Sequence, residues 1–158
     1  MNESHLAYLN LGSNIQPETN LLKAVELLSA YGEIVQHSQV WESEPVGTTG
    51  GNYLNVCTEF KTQFDALGLK EQVIHPIEKQ LGRERGPDKF VPRPMDIDII
   101  LFDDNPIQAK VWDLAFVVVP LADLYPEYRK TKTGESVLEI ATRLRREVWL
   151  ETRRGILE

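Results

Sequence analysis

The chain has 158 residues, of which 42% are hydrophobic and 26% charged, with a formal net charge of -7. This length suits one domain, residues 1–158, with a real core, and the composition excludes a disordered chain. The negative balance argues against general nucleic-acid affinity, and a single cysteine, Cys57, excludes an internal disulfide and a cysteine-rich zinc site.

The N-terminus has no basic segment leading into a long apolar run. No signal peptide and no membrane span are predicted, and a cytoplasmic location is expected. Leu6 to Leu11 is apolar and ends at Gly12-Ser13-Asn14, which reads as a buried strand running into a sharp turn. Pro17 and Glu18 suit a first helical turn; Leu21, Leu22, Val25 and Leu28 recur at helical spacing, and Gly32 supplies the stop. Glu33 to Trp41 alternates as one strand, with His37 an exposed strand residue rather than a ligand. Glu42 to Asn52 is a glycine- and threonine-rich loop without the G-K-[ST] of a phosphate-binding loop. Such a loop between strands can serve as a lid.

Tyr53 to Thr62 alternates as a strand, with Tyr53 and Asn55 on one face. An aromatic ring beside a carboxamide suits a flat heterocycle, though a surface tyrosine and a turn asparagine would read the same way. Leu67 to Leu81 is predicted as a helix that Pro76 must kink or restart. Glu78, near its end, opposes the helix dipole: either it is simply exposed or it has a task outside the helix.

The central stretch is Gly82 to Leu101. Arg83, Arg85, Lys89 and Arg93 stand in a segment broken by Gly86, Pro87, Pro92 and Pro94, which excludes a helix. Met95 to Leu101 follows as a strand. Side chains i and i+2 share a face, so Asp96 and Asp98 point one way and Ile97 and Ile99 the other. Neighbouring carboxylates repel unless a cation or water lies between them. Guanidinium forks match phosphate oxygens and hard carboxylates match magnesium, so the simplest common ligand is a metal-bound polyphosphate such as ATP. The alternative is an ordinary strand with one solvated face.

Beyond this strand, Asp103 to Pro106 is a turn. Ala115 to Leu121 reads as a buried strand or as an apolar segment leading into a short helix. Ser136 to Arg145 is a final helix, and Val148 to Leu157 reads as a last strand. Arg143, Arg145, Arg146, Arg153 and Arg154 form a second basic cluster, read as solvated or subunit-facing.

The pattern E-x-x-x-x-R-x-R followed by P-R-x-x-D-I-D-I occurs here as Glu78, Arg83, Arg85, Pro92, Arg93, Asp96, Ile97, Asp98 and Ile99. With Gly12-Ser13-Asn14 and Tyr53-Leu54-Asn55 before it, the chain from Tyr8 to Pro126 resembles the 6-hydroxymethyl-7,8-dihydropterin pyrophosphokinases of folate biosynthesis. The resemblance implies an α+β fold, a ferredoxin-like antiparallel sheet with helices packed on it. It implies transfer of diphosphate from ATP to the hydroxymethyl group of a dihydropterin, giving AMP. Asp96 and Asp98 would hold magnesium. Arg83 and Arg93 would stabilise charge on the transferred group. Glu78, Arg85, Arg93 and Ile99 would hold ATP. Ser43, Pro45, Val46, Tyr53, Asn55 and Phe116 would hold the pterin. Expected partners are ATP and the pterin, with no nucleic acid and no membrane, in a monomer or weak homo-oligomer.

The chain departs from the family between the Asp strand and Phe116. The family usually carries P-H-x-x-x-x-x-R-x-F there, and its His and Arg reach the nucleotide phosphates. Here position 114 is Leu, the upstream segment is shortened, and the three histidines, His5, His37 and His75, all lie elsewhere. Lys89 and Phe90 stand where the family often has Arg and Trp. The expectation is slow turnover or a replacement cation, with Lys110 and Lys89 nearest in sequence. Two other readings stay open: a paralogue acting on another heterocyclic alcohol, and a pterin- or nucleotide-binding protein that has lost catalysis.

Overall fold

The computed structural model describes residues 3–45, 50–83 and 93–157. One antiparallel sheet forms its middle layer. Its strands are β1 (His5–Ser13), β2 (Glu33–His37), β3 (Val40–Ser43), β4 (Tyr53–Thr62), β5 (Asp96–Phe102), β6 (Asn105–Pro106) and β7 (Leu150–Arg153). Their order is β6-β5-β1-β4-β3-β7, with β2 also on β4. The helices are α1 (Pro17–Leu28), α2 (residues 66–80), α3 (Ala115–Leu124) and α4 (Val137–Leu144).

Alternation along the strands produces two cores. Ala7, Leu9 and Leu11 of β1, Val56 and Phe60 of β4, and Ile97 and Ile99 of β5 pack against Leu21, Ala24 and Leu28 of α1 and Leu69, Val73 and Ile77 of α2. Tyr8, Cys57 and Ile100 face the other way and pack with Val117, Val118 and Leu121 of α3 and Val137, Ile140 and Leu144 of α4. The result is the expected α-β-α sandwich.

Four details differ from, or decide between, the sequence expectations. The strand expected from Glu33 to Trp41 is two strands. At the break, the Ser38 N–H still donates to the Cys57 carbonyl at 2.8 Å, while the Ser38 hydroxyl accepts from the Cys57 N–H at 2.9 Å and donates to the Gln39 carbonyl at 2.7 Å, so a side-chain oxygen takes the place of a backbone acceptor. Pro76 does not end its helix. A π-helical stretch, Leu69–Ile74, precedes His75–Gln80, and Pro76 falls in the first turn of this last segment, where its missing N–H costs least. Ala115 to Leu121 is helical, which resolves that choice of readings. The C-terminal strand occupies only Leu150–Arg153.

The apolar run at the end of β5 has a physical cause. Leu9 pairs with Ile99 and Tyr8 with Leu101, so Ile100 is an extra residue. This bulge sends both Ile100 and Leu101 into the α3/α4 core, while Phe102 packs against the other one. Among the described residues, no helix is long and apolar enough to cross a membrane.

Candidate active site

The register brings the sequence's polar candidates together on the sheet face that carries α3 and α4. Gly12 of β1 pairs with Asn55 on one side and Asp96 on the other. One row further in, Asn10 pairs with Cys57 and Asp98. Glycine is required at the first position by close approach: a Cβ on Gly12 would lie 3.0 Å from Asn55 Oδ1 and 3.7 Å from the Tyr53 ring. The missing side chain lets the Tyr53 ring and the Asn55 amide approach the β1 backbone from one side, with Asp96 paired to it on the other.

Asn55 is 1% exposed. Its amide nitrogen donates to Ser43 Oγ at 2.8 Å and to the Trp41 carbonyl at 3.4 Å. Those bonds use the donor side of the amide and turn Oδ1 towards Gly12. The group therefore turns an acceptor over the Gly12 backbone, and Ser43 acts through Asn55. Phe116 stands half-buried in the first turn of α3, on the same face of the sheet. Pro45 lies just beyond β3. Val46, Arg85, Lys89 and Phe90 fall outside the described residues.

At the other wall, Glu78 is 2% exposed and so is no surface residue. Its Oε2 accepts from the Ile97 N–H at 2.9 Å and from Arg83 Nη1 at 2.7 Å, tying the end of α2 to the start of β5. Arg83 Nη1 also donates to Asp96 Oδ1 at 2.7 Å. Arg93 Nη1 donates to Asp96 Oδ2 at 3.0 Å. Both oxygens of Asp96 thus already face cations. Burial works against the charge of Arg83, but Asp96 and Glu78 outweigh it and raise its pKa. Among the described residues, no ion pair to Asp98 accompanies these. Burial, then the negative charges of Asp96 and Glu78, push its carboxyl up to about 7.

Two contributors were not legible as site residues. Asn14 was read only as part of a turn. Its Oδ1 accepts from the Arg93 N–H at 2.7 Å, the Arg93 carbonyl accepts from the Asn14 N–H at 3.1 Å, and its amide nitrogen donates to the Gly51 carbonyl at 3.3 Å. It pins both flanks of the site, and only its position after Gly12 hinted at this. Beyond the outer edge of β5, a cavity of about 210 Å³ is lined by Lys70, His75 and Glu78 of α2, by Arg83, Asp96, Asp98 and Ile99, and by Gln108. Among the described residues, β6 pairs with Leu101 and Phe102 and leaves the earlier part of that edge unpaired. Lys110 is exposed in the 3₁₀ turn Ala109–Asp113 and is not part of that lining.

Asp96 and Asp98 offer the hard carboxylate oxygens that magnesium prefers. No group of three or more metal-ligating side chains occurs among the described residues. Two carboxylates are enough for magnesium, which usually completes its shell with water and substrate phosphates.

The architecture is shared with solved proteins. The crystal structure of wild-type Plasmodium falciparum HPPK-DHPS with pteroate superposes with a TM-score of 0.72 at 14% identity, covering 90% of this chain and 45% of that one. This places the fold in the α+β class with a ferredoxin-like sheet. Residues 8–126 match the family 7,8-dihydro-6-hydroxymethylpterin-pyrophosphokinase (HPPK), and the chain belongs to that family. It is therefore a diphosphotransferase. The 2-amino-4-hydroxy-6-hydroxymethyldihydropteridine pyrophosphokinase of Aquifex aeolicus is 36% identical over 140 residues, covering 78% of this chain and 85% of that protein. The Methylorubrum extorquens protein of the same name is 34% identical over 150 residues, covering 87% and 92%. The folate synthesis bifunctional protein of Arabidopsis thaliana is 34% identical over 125 residues, but this chain covers only 26% of it.

Proposed function

We propose that this chain transfers diphosphate from ATP to the hydroxymethyl group of 6-hydroxymethyl-7,8-dihydropterin, releasing AMP, as a cytoplasmic single-domain enzyme of folate synthesis. The observation that carries this reading is the Asn55–Gly12–Asp96 row: an acceptor for a heterocycle edge and a carboxylate pair face each other across one glycine.

Tyr53 and Phe116 hold the pterin ring, and Asn55 Oδ1 accepts from one of its N–H groups. Ser43 fixes that amide, and Pro45 and Val46 belong to the segment that closes the pocket. ATP enters from the open edge of β5, where Glu78, Arg85, Arg93 and the Ile99 segment hold it. Asp96 and Asp98 would hold magnesium, which would supply positive charge to the transferring phosphates. Arg83 and Arg93, which donate to Asp96 here, would supply guanidinium donors to the transferred group. Glu78 keeps Arg83 at the mouth of the site. Asp98 must lose its proton for ligation, because carboxylates bind metals ionised.

The test is incubation with ATP, magnesium and 6-hydroxymethyl-7,8-dihydropterin, followed by an assay for AMP and the pterin diphosphate. Stoichiometric formation of both is expected. Pterin and nucleotide binding without AMP would favour the binding-protein reading, and turnover only with a different alcohol would favour the paralogue.

A further inference from the structure

β7 ends the sheet on the side away from β5. Among the described residues its partner strand is β3, and its other edge pairs with nothing. The register on β3 sets Glu151 directly opposite Glu42, a like-charge pair that weakens a ladder. Glu42 turns to Arg153 and Asn52 instead. Glu151 has no hydrogen bond or ion pair among the described residues. Just before the strand, Val148 is 51% and Trp149 41% exposed. Just after it, Gly155 has φ +81°, and a Cβ there would meet nothing within 4 Å. One bare edge thus joins an unmatched carboxylate, an exposed indole and an open glycine.

We propose that a second copy of this chain docks on this edge, β7 pairing antiparallel with its counterpart so that Thr152 lies on the two-fold axis. Symmetry leaves few registers. A two-fold axis that extends a sheet antiparallel runs perpendicular to it, so both copies present the same faces and odd positions meet odd positions. Centring the pair on residue 151 or 153 sets Glu151 against Glu151, or Arg153 against Arg153. Centring it on Thr152 sets Glu151 against the partner's Arg153, twice per dimer. Arg153 spends Nη1 on Glu42 and Nη2 on Glu18, which leaves other N–H donors over. Charges on an edge strand commonly ward off pairing; in this register they match. The same register carries Trp149 to the partner's Gly155, whose open side takes an aromatic ring. The candidate active site lies on β5, β1 and β4, with β3 between it and this edge, so both copies keep their sites open.

The experiment is sedimentation equilibrium over a concentration series, from micromolar to millimolar protein, with the thermal midpoint read alongside. Native protein should show a dimer. Glu151→Arg turns both opposite-charge pairs into like-charge pairs, so it should raise the dimer dissociation constant by at least about tenfold. Its midpoint as a monomer should be no lower than native, because the opposition to Glu42 is gone. The charge-swapped Glu151→Arg/Arg153→Glu should restore the dimer. A second measurement tests the same contact with no change of charge. Directly opposed residues have Cα atoms about 4.5–5.5 Å apart, within disulfide reach. Thr152→Cys should therefore form a covalent dimer with oxidised glutathione. Glu151→Cys, offset from its own copy by two residues, should not. The natural cysteine, Cys57, is buried and does not compete.

A native chain that stays monomeric throughout the series would overturn the proposal. So would a dimer indifferent to Glu151→Arg, which would lie on another face. Cross-linking of Glu151→Cys as readily as Thr152→Cys, or a swapped variant that stays monomeric, would overturn the register.

Discussion

The two halves of β5 share one strand and do opposite work. In the first half, alternation is strict: Ile97 and Ile99 feed the α1/α2 core, while Asp96 and Asp98 face the other way, paired with Gly12 and Asn10 of β1. In the second half, the bulge at Ile100 breaks the alternation, and Ile100 and Leu101 both enter the α3/α4 core. The same face of the sheet therefore changes from a polar wall to a packed interior over about one strand turn. A rigid, buried strand end holds the carboxylates, and burial raises Asp98 because the dry core begins directly behind it.

Substitutions at the two ends should separate chemistry from stability. Asp96→Ala and Asp98→Ala should each lower magnesium-dependent turnover by at least about 10³-fold, since metal charge stabilisation is worth several kcal/mol. Neither should unfold the protein. Ile100→Ala should do the reverse, lowering unfolding free energy by about 2–5 kcal/mol through a buried cavity. Its folded fraction should keep near-native turnover. Denaturant melts and turnover rates on the same preparations check both outcomes, and loss of turnover in fully folded Ile100→Ala would break the comparison.

A pH titration sharpens the same contrast. The folded value for Asp98, about 7, lies above its ordinary 3.8. Between those values the folded metal-free protein holds a proton that the unfolded chain has released. Its contribution to stability is fully present below about pH 4 and is lost as pH rises towards about 7, by up to a few kcal/mol. Other carboxylates, such as Asp103 and Glu42, are shifted down and act in the opposite direction. The diagnostic quantity is thus the difference between native protein and Asp98→Asn, measured by chemical denaturation in the absence of metal. Native protein should lose stability relative to the variant as pH rises through that window. A constant difference would show that Asp98 ionises normally.

The Asn55 amide beside Gly12 offers a smaller effect. Asn55→Ala removes an acceptor that the fold aims outward, so pterin binding should weaken by at least about tenfold, corresponding to roughly 1–3 kcal/mol for a buried partner left unmatched. ATP binding should be nearly unchanged. Calorimetry with each ligand separately decides it, and equal pterin affinity would make Asn55 a strut for Ser43 and β3.

Much of this arrangement was legible in the sequence because strand periodicity is strict. Once Met95 to Leu101 is extended, Asp96 and Asp98 must share a face, and the same rule pairs Tyr53 with Asn55. What sequence alone could not supply was register. Nothing local shows that Gly12 stands between Asn55 and Asp96, that Asn10 faces Asp98, or that Glu78 turns inward to meet the Ile97 N–H. Those facts depend on which strands are neighbours. The bulge was hidden for a related reason: a run of apolar residues at a strand end looks the same whether both faces are buried or one residue is extra. The break at Ser38 was hidden too, because a serine that bonds locally and one that simply faces solvent give the same letter.

The smallest expected effect concerns Lys110, the nearest described candidate to replace the shortened segment's cations. The structure places it away from that task. It is exposed in the turn Ala109–Asp113, and the cavity beside β5 is lined instead by Ile107 and Gln108 of this segment and by Lys70 and His75 of α2. A solvated ammonium outside the site interacts with phosphate through high dielectric and salt, which leaves well under about 1 kcal/mol at physiological ionic strength. Lys110→Ala should therefore change kcat/KM by no more than about twofold, since each 1.4 kcal/mol is a factor of ten. Lys70→Ala, at the cavity wall, should raise KM for ATP more than Lys110→Ala does. A steady-state comparison of the two variants with saturating pterin settles the order. A large loss confined to Lys110→Ala would mean that the 109–113 turn moves onto the nucleotide during turnover, and would restore the replacement role expected from its place in the sequence.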